Sequence, residues 1–188
     1  MKNDLSPTPF TCPWWMLFTF DNPVRSFVIR PDKMLAGLVH PGDTVLDVGC
    51  GMGFCSLPLA KLVGPQGRVI AADLQEKMLA GLLRRAQRAG CVERIQPLHC
   101  QQDAIGLNVP LDFALAFWMV HEVYQQEPFL REIHSALKPG GKFLLVEPRI
   151  HVSGKAFRHT VVLAEQLGFT VLSRPWVNIS RAVVLEKR

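Results

Sequence analysis

A strand-like run that ends on a carboxylate and enters a glycine-rich loop is the segment of this sequence best suited to bind a ligand. Val45 to Val48 is apolar except for Asp47, and Gly49, Gly51 and Gly53 follow at alternate positions. Glycine allows a tight turn and lets a ligand approach the backbone. The apolar spacing of residues 55–63 predicts a helix, whose first turn would leave unpaired N–H groups beside the loop. The pattern predicts a cradle for a nucleotide-like ligand.

A second carboxylate strengthens this interpretation. Asp73 ends the next predicted strand, about twenty residues after the loop, where a carboxylate can accept hydrogen bonds from both hydroxyls of a ribose.

Four further polar side chains follow the later predicted strands and could act as acids or bases. They are His121, Glu122, Glu147 and His151. Ligands of open α/β sheets bind at the carboxyl ends of the strands, so these side chains are candidates for chemistry there. The structural alternatives are a core histidine at 121, a solvated loop histidine at 151, and glutamates that pair with arginine or with a helix N-terminus.

The elements that must position these residues alternate along the chain. The predicted strands are Thr44–Val48, Arg68–Ala72, Ile95–His99, Leu111–Phe117, Gly141–Val146, Phe169–Leu172 and Ser180–Leu185. The predicted helices are Asp32–Val39, Cys55–Val63, Glu76–Ala89, Pro128–Leu137 and Ala156–Leu167, and Asp32 is the predicted N-cap of the first. Alternation with short connections predicts βαβ units on a parallel sheet. The last two strands have no helix between them, so the final strand should run antiparallel.

Four motifs follow one another along the chain. The first two are the glycine loop and Asp73, and the third is Phe117-Trp118-Met119-Val120-His121-Glu122-Val123. The fourth covers residues 137–148, where Leu-Lys-Pro-Gly-Gly-Lys is followed by Phe-Leu-Leu-Val-Glu-Pro. From about Thr44 to its end, the chain resembles the class I S-adenosylmethionine-dependent methyltransferases, in the group similar to ubiquinone/menaquinone C-methyltransferases. The resemblance implies a Rossmann-like, doubly wound α/β/α sandwich with a seven-stranded sheet and an antiparallel last strand.

The resemblance also implies S-adenosyl-L-methionine as the cofactor and S-adenosyl-L-homocysteine as its product. Asp47 and the loop around Gly49 would hold the amino-acid end of the cofactor, Asp73 the ribose, and Leu74 the adenine. Gln101 stands where the family commonly has an acidic residue for the adenine amino group, and Asp103 follows two residues later, so the adenine contact stays open between them. The full implied cofactor set is Asp47, Gly49, Cys50, Gly51, Gly53, Asp73, Leu74, Gln101, Gln102, Asp103 and Phe117.

Methyl transfer from a sulfonium needs few catalytic groups, because the methyl carbon is already activated and positioning supplies most of the rate. A general base is needed only when the acceptor must lose a proton near neutral pH. His121, Glu147 and His151 are the catalytic candidates.

Composition limits the alternatives. The 188 residues are 48% hydrophobic and 20% charged, which suits one domain, here assigned to residues 32–188. The net charge of +5 allows a nucleic-acid methyltransferase as an alternative. Charged residues are nevertheless scattered, and Phe117-Trp118-Met119-Val120 replaces an Asn-Pro-Pro-Tyr-like tetrapeptide. We therefore expect a small-molecule acceptor and no nucleic-acid partner. A binding module that holds S-adenosylmethionine without turnover is the other alternative.

The five cysteines form no zinc-spaced cluster, so no metal site is expected, and the absence of a signal peptide suggests the cytoplasm. No apolar run reaches the ~18 to 20 residues that span a bilayer.

Residues 1–31 are rich in proline and aromatic side chains, and they are predicted to form an arm or lid over the substrate site. Cys12, Trp14 and Trp15 could help form a wall for a cation, or the aromatics could simply cover the sheet edge. The arm favours an apolar or aromatic acceptor. The sequence leaves the accepting atom and the oligomeric state open.

Overall fold

The computed structural model describes residues 29–188. The predicted lid, including Cys12 and its neighbouring aromatics, lies almost entirely outside the described residues and stays a prediction. The strands are β1 (Thr44–Val48), β2 (Arg68–Asp73), β3 (Ile95–His99), β4 (Leu111–Phe117), β5 (Leu137–Pro148), β6 (Phe169–Ser173) and β7 (Ser180–Lys187). The α-helices are α1 (Pro31–Leu35), α2 (Ser56–Leu62), α3 (Glu76–Arg88), α4 (Gln126–Ala136) and α5 (Gly154–Gln166), and short 3₁₀ turns cover Val92–Arg94 and Val120–Glu122.

The strands form one seven-stranded sheet in the order β3-β2-β1-β4-β5-β7-β6. The first five strands run parallel, while β7 pairs antiparallel with both β5 and β6. The predicted α/β fold and its reversed last strand are therefore confirmed.

Helices cover both faces of the sheet, so the central strands are buried on both sides. On one face Leu59 of α2 and Leu82 of α3 pack with Val45 and Phe113. On the other face Ile133 of α4 and Phe157 of α5 pack with inward-facing residues of the same strands and of β5 and β7. Burial on both faces explains why most of β1 and β4, and residues 143–146 of β5, are apolar in sequence. None of the helices within residues 29–188 has the length and apolar character needed to cross a membrane.

The first helix differs from its prediction. Asp32 does not cap it, because α1 begins one residue earlier at Pro31 and Arg30 occupies the N-cap without a side-chain hydrogen bond. Proline suits the first helical position because its fixed φ matches the helix and its missing N–H would be unpaired there. Asp32 instead pairs with Arg30 at 2.9 Å, and the helix ends at Leu35 rather than at Val39.

The Pro-Gly-Gly segment also differs from expectation, since it lies within β5 instead of before it. Leu111 of β4 pairs with Leu137 and Phe113 with Lys142, so the strand bulges between these two pairs. Gly140 lies in this bulge at φ +76°, a conformation that favours glycine.

Candidate functional site

The polar residues selected from the sequence converge on the carboxyl edge of the sheet. The strand order changes direction between β1 and β4, and ligands of doubly wound sheets bind at such a switch point. Asp47 lies near the end of β1, the glycine loop follows that strand, Asp73 ends β2 beside them, and Glu147 lies near the end of β5.

The loop after β1 depends on glycine for both its backbone conformation and its packing. Gly49, Gly51 and Gly53 have φ values of +68°, +53° and +89°. The N–H groups of Gly49 and Cys50 donate to the carbonyl of Ala72 at 2.9 and 3.1 Å, which fixes the loop against β2. A Cβ at Gly53 would lie 2.3 Å from Leu82 Cδ1, so even alanine would collide with α3.

Asp73 connects the glycine loop to the end of β2. One carboxylate oxygen accepts the N–H of Gly51 and the other accepts the N–H of Gln75, both at 2.9 Å. Burial raises the pKa of Asp73, and these backbone hydrogen bonds oppose that effect. Each carboxylate oxygen can accept a second hydrogen bond, so the group retains capacity for ligand hydroxyls. Leu74 follows with 38% of its surface exposed and offers an apolar face next to the carboxylate.

Asp47 is 2% exposed and accepts a 2.5 Å hydrogen bond from Ser56 Oγ. Burial raises its pKa to about 7; the Ser56 hydrogen bond lowers it, and the nearby charge of Asp73 raises it further. A carboxyl group with a pKa of about 7 is only partly ionised at neutral pH, and a nearby cation lowers this pKa and favours the carboxylate.

Met119 joins the glycine loop to the segment that follows β4. A Cβ added to Gly49 would lie 2.8 Å from Met119 Cγ, so the methionine side chain packs directly on the glycine. His121 comes two residues later, and the loop and the histidine therefore belong to neighbouring parts of one edge.

His121 and Glu147 form a close pair beyond Met119. Glu147 Oε2 accepts from His121 Nδ1 at 2.6 Å, and Glu147 Oε1 accepts the His121 backbone N–H at 3.1 Å. The hydrogen bond to the carboxylate holds a proton on Nδ1 and leaves Nε2 available. The ring of His151 stacks parallel to that of His121, with centroids 5.8 Å apart.

The charge of Glu147 controls the protonation of this histidine. Burial lowers the pKa of His121, but the hydrogen bond and charge of Glu147, with a contribution from Glu122, outweigh it and raise the net pKa above 6.5. The Glu147 side chain is 4% exposed and that of His121 is 26% exposed. The pair therefore combines a buried carboxylate with an imidazole that solvent or a ligand can reach.

The sequence analysis places Trp118 in the motif after β4 and Ser180 at the start of a strand but predicts no contact between them, yet this contact holds the segment in place. Trp118 adopts φ +59°, which is unusual for a bulky residue, and its indole N–H donates to Ser180 Oγ at 2.9 Å. Its ring stacks on buried Phe117 with centroids 5.1 Å apart. No local sequence signal could reveal this contact, because the two partners are 62 positions apart.

The three residues predicted to contact adenine lie together on the surface after β3. Gln101, Gln102 and Asp103 are all exposed in the segment after β3, where Gln101 N–H closes a turn by donating to the Ala104 carbonyl at 2.9 Å. Cys50 is buried, and burial raises the pKa of its thiol well above the ordinary value. Cys50 is thus an apolar filler beneath the loop.

A family model described as a methyltransferase domain matches residues 45–141, just over half of the chain. The ubiquinone/menaquinone biosynthesis C-methyltransferase UbiE of Escherichia fergusonii is 30% identical over 125 residues, which are 63% of this chain and 49% of that protein. The chain therefore spans about half the length of the curated relatives it matches.

Two solved structures have a similar fold. A SAM-dependent methyltransferase from Aquifex aeolicus matches with a TM-score of 0.84 and 24% identity, over 95% of this chain and 100% of that chain. An rRNA methylase from Streptococcus thermophilus matches with a TM-score of 0.63 and 21% identity, over 83% and 93% of the two chains. At such identities the likeness concerns the fold alone.

Proposed function

The chain belongs to the methyltransferase domain family, and from that premise we propose that it transfers a methyl group from S-adenosyl-L-methionine to a small-molecule acceptor. The observation that carries the proposal is the joining of the glycine loop to Asp73 through the Gly51 N–H, next to buried Asp47. Two carboxylates and a glycine-lined turn at a switch point suit a ligand that contains an ammonium group and a ribose.

The residues present fit this cofactor. Asp47 would face the ammonium of its amino-acid end, and a nearby cation would complete the ionisation of this carboxyl group. Asp73 would accept the ribose hydroxyls, and exposed Leu74 would pack on the adenine ring. Phe117 would contribute an apolar wall at the end of β4.

The cofactor supplies a methyl group bound to a positively charged sulfur, which needs no further activation. The contribution of this chain is to orient the acceptor and, where the acceptor carries a removable proton, to accept that proton. His121 Nε2 is placed for the second task because Glu147 holds the proton on Nδ1. His151 stacks on the same ring, and it would help to close the acceptor site around the imidazole.

The acceptor is a small molecule, in keeping with the printed name of the UbiE relative, which refers to ubiquinone and menaquinone biosynthesis. Nucleic acid is the less favoured acceptor, although an rRNA methylase shares the fold. Retention on heparin that declines with salt, together with methylation of added RNA, would reverse this preference. The proposed place of action is the cytoplasm.

The cofactor proposal is tested by calorimetric titration with S-adenosylmethionine and S-adenosylhomocysteine. We expect micromolar binding to the wild type and a loss of roughly tenfold to a hundredfold in Asp73→Ala, because hydrogen bonds to a charged group contribute about 1.5 to 3 kcal/mol. Glu165→Ala is the matched control, since this exposed glutamate lies near the end of α5 that points away from the site. If neither compound binds, or if both variants behave alike, the cofactor proposal fails.

Catalysis separates an enzyme from a binding module. The protein is incubated with a metabolite extract and cofactor carrying an isotopically labelled methyl group, and methylated products are identified by mass spectrometry. A labelled product that disappears with Asp73→Ala supports methyl transfer. Tight cofactor binding without any product would favour the binding module instead.

A further inference from the structure

Two arginine side chains approach the first residue of α5. A Cβ on Gly154, the first residue of α5, would lie 3.4 Å from Arg158 Nη1 and 3.6 Å from both Nε and Nη2 of Arg181. Arg158 comes from α5 itself and Arg181 from β7. Because like charges repel, this proximity is unfavourable unless an anion or solvent compensates it.

The nearest carboxylate on the adjoining strand, that of Glu147, forms no ion pair with Arg181. Glu147 and Arg181 are directly opposed in the β5–β7 register, so their side chains lie on the same face of the sheet. Glu147 nevertheless bonds to His121, and the ion pairs among residues 29–188 include neither Arg158 nor Arg181. Arg181 Nη1 is buried and has no hydrogen-bond partner among the described residues.

The surrounding loops increase the positive charge. Residues 148–160 and 173–181 approach the carboxyl ends of β5 and β4, and they contain five arginines and lysines but no aspartate or glutamate. This differs from the chain as a whole, which has 16 acidic residues against 21 basic ones. A buried guanidinium N–H without an acceptor is costly, and an oxyanion would satisfy it.

We propose that Arg158 and Arg181 bind an oxyanion, and that in the methyl-transfer reaction this oxyanion is a carboxylate or phosphate of the acceptor. That this oxyanion belongs to the methyl acceptor rests on the proposed function. The site adjoins the His121–Glu147 pair, since Arg181 opposes Glu147 and His151 lies in the turn that leads to α5. An acceptor anchored by its acidic group would thus present its remaining atoms near His121 Nε2. The acceptor class is an organic acid or phosphate ester whose body can still be apolar or aromatic.

The first test measures anion binding without any acceptor. Inorganic phosphate and benzoate are titrated calorimetrically at constant ionic strength into the wild type, Arg181→Met and Arg158→Gln. We expect saturable binding to the wild type and a loss of about tenfold or more in both variants, because each removes charge-assisted hydrogen bonds. Arg174→Gln is the matched control, because it removes the same charge from an exposed position in the neighbouring loop.

Either of two results would overturn the proposed oxyanion site: no saturable binding to the wild type, or an equal loss in Arg174→Gln. Methionine at position 181 keeps the apolar part of the arginine side chain, so packing around it should be preserved. Arg158 is exposed, so its replacement should not disturb the fold. A loss of binding in both variants therefore cannot be explained by misfolding. Both should retain wild-type affinity for S-adenosylmethionine, whose predicted contacts lie at β1 and β2.

The second test concerns the acceptor. A metabolite extract is divided by anion exchange, and each fraction is incubated with labelled cofactor. The proposal is supported if the retained, anionic fraction yields product and if Arg181→Met raises the KM for that acceptor. Product from the unretained fraction alone would refute an anionic acceptor. If no fraction yields product while phosphate still binds, the proposed methyl transfer fails and the oxyanion site stands.

Discussion

Asp47 shows how burial sets the protonation of a single residue. In the folded protein its pKa is raised from 3.8 to about 7, chiefly by burial. Between these two values the folded state holds a proton that the unfolded state has released. Linkage then requires that this group's contribution to the free energy of unfolding falls as pH rises from about 4 to about 7.

We therefore expect Asp47→Asn to remove part of this pH dependence. The amide keeps an oxygen that can accept from Ser56 Oγ, but it cannot ionise. Between about pH 4 and about pH 7 the melting temperature of the wild type should fall relative to that of the variant. Circular dichroism melts across this range provide the measurement, and parallel declines in the two proteins would contradict the burial argument.

The His121–Glu147 pair makes a second prediction at the scale of the residue. If neutral His121 accepts a proton from the acceptor, turnover rises with pH through a pKa that Glu147 holds above 6.5. Glu147→Gln should move this midpoint to lower pH, because burial alone lowers the histidine pKa. It should also reduce kcat by about a hundredfold, which is the lower end of the range for general acid–base effects.

Controls separate proton transfer from cofactor binding. His121→Ala should lower kcat at all pH values with little change in the affinity for S-adenosylmethionine. His159→Ala, an exposed histidine on α5, should change neither quantity. An unshifted midpoint in Glu147→Gln, with normal turnover in His121→Ala, would leave positioning as the whole of the mechanism.

At the scale of elements, the contact between the segment after β4 and the start of β7 holds the edge together. Trp118 and Ile179 adopt φ values of +59° and +55°, conformations that are strained for bulky side chains. Ser180 is 2% exposed and accepts the Trp118 indole N–H. The Arg149 backbone N–H donates to the Ile179 carbonyl at 3.0 Å and ties the loop after β5 to the same point.

A double-mutant cycle measures this contact. Ser180→Ala leaves the indole N–H without its acceptor and should cost about 1 to 3 kcal/mol of stability. Trp118→Phe removes the donor, so Ser180→Ala should be less costly in that background, giving a coupling energy of about 0.5 kcal/mol or more in urea unfolding. Additive losses would show that the hydrogen bond contributes nothing beyond packing.

The elements were predictable where local pattern and final environment agree. The bounds of β1 and β4 match their predictions, because apolar runs between turn-forming residues become strands buried in the sheet. Helix ends were less predictable, as Asp32 shows, because a capping residue in sequence competes with proline at the first helical position. The pairing of Glu147 with His121 depends on the ends of two neighbouring strands, β4 and β5. The approach of Arg158 and Arg181 to Gly154 depends on where α5 begins. Spacing along the chain does not contain that information.

At the scale of the whole molecule, the sheet separates two apolar layers. The residues proposed to bind the cofactor lie on several neighbouring strands of this sheet and not on one strand. Asp47 lies on β1, Asp73 on β2 and Phe117 on β4, and these strands are neighbours through the pairs β2–β1 and β1–β4. A ligand that contacts all three would oppose their separation. Ligand binding should therefore stabilise the fold as a unit.

This coupling can be measured as a thermal shift. A ligand that binds only the folded state adds about 2.7 kcal/mol at a concentration of 100 times its Kd. For a domain of this size that corresponds to roughly 5 to 10 °C in melting temperature. S-adenosylmethionine and S-adenosylhomocysteine should both produce the shift in the wild type and in Glu165→Ala, and Asp73→Ala should need at least tenfold more ligand. Because Arg181→Met leaves β1 and β2 intact, this variant should show the full thermal shift with both compounds. A smaller shift in Arg181→Met than in the wild type would mean that the cofactor reaches Arg181.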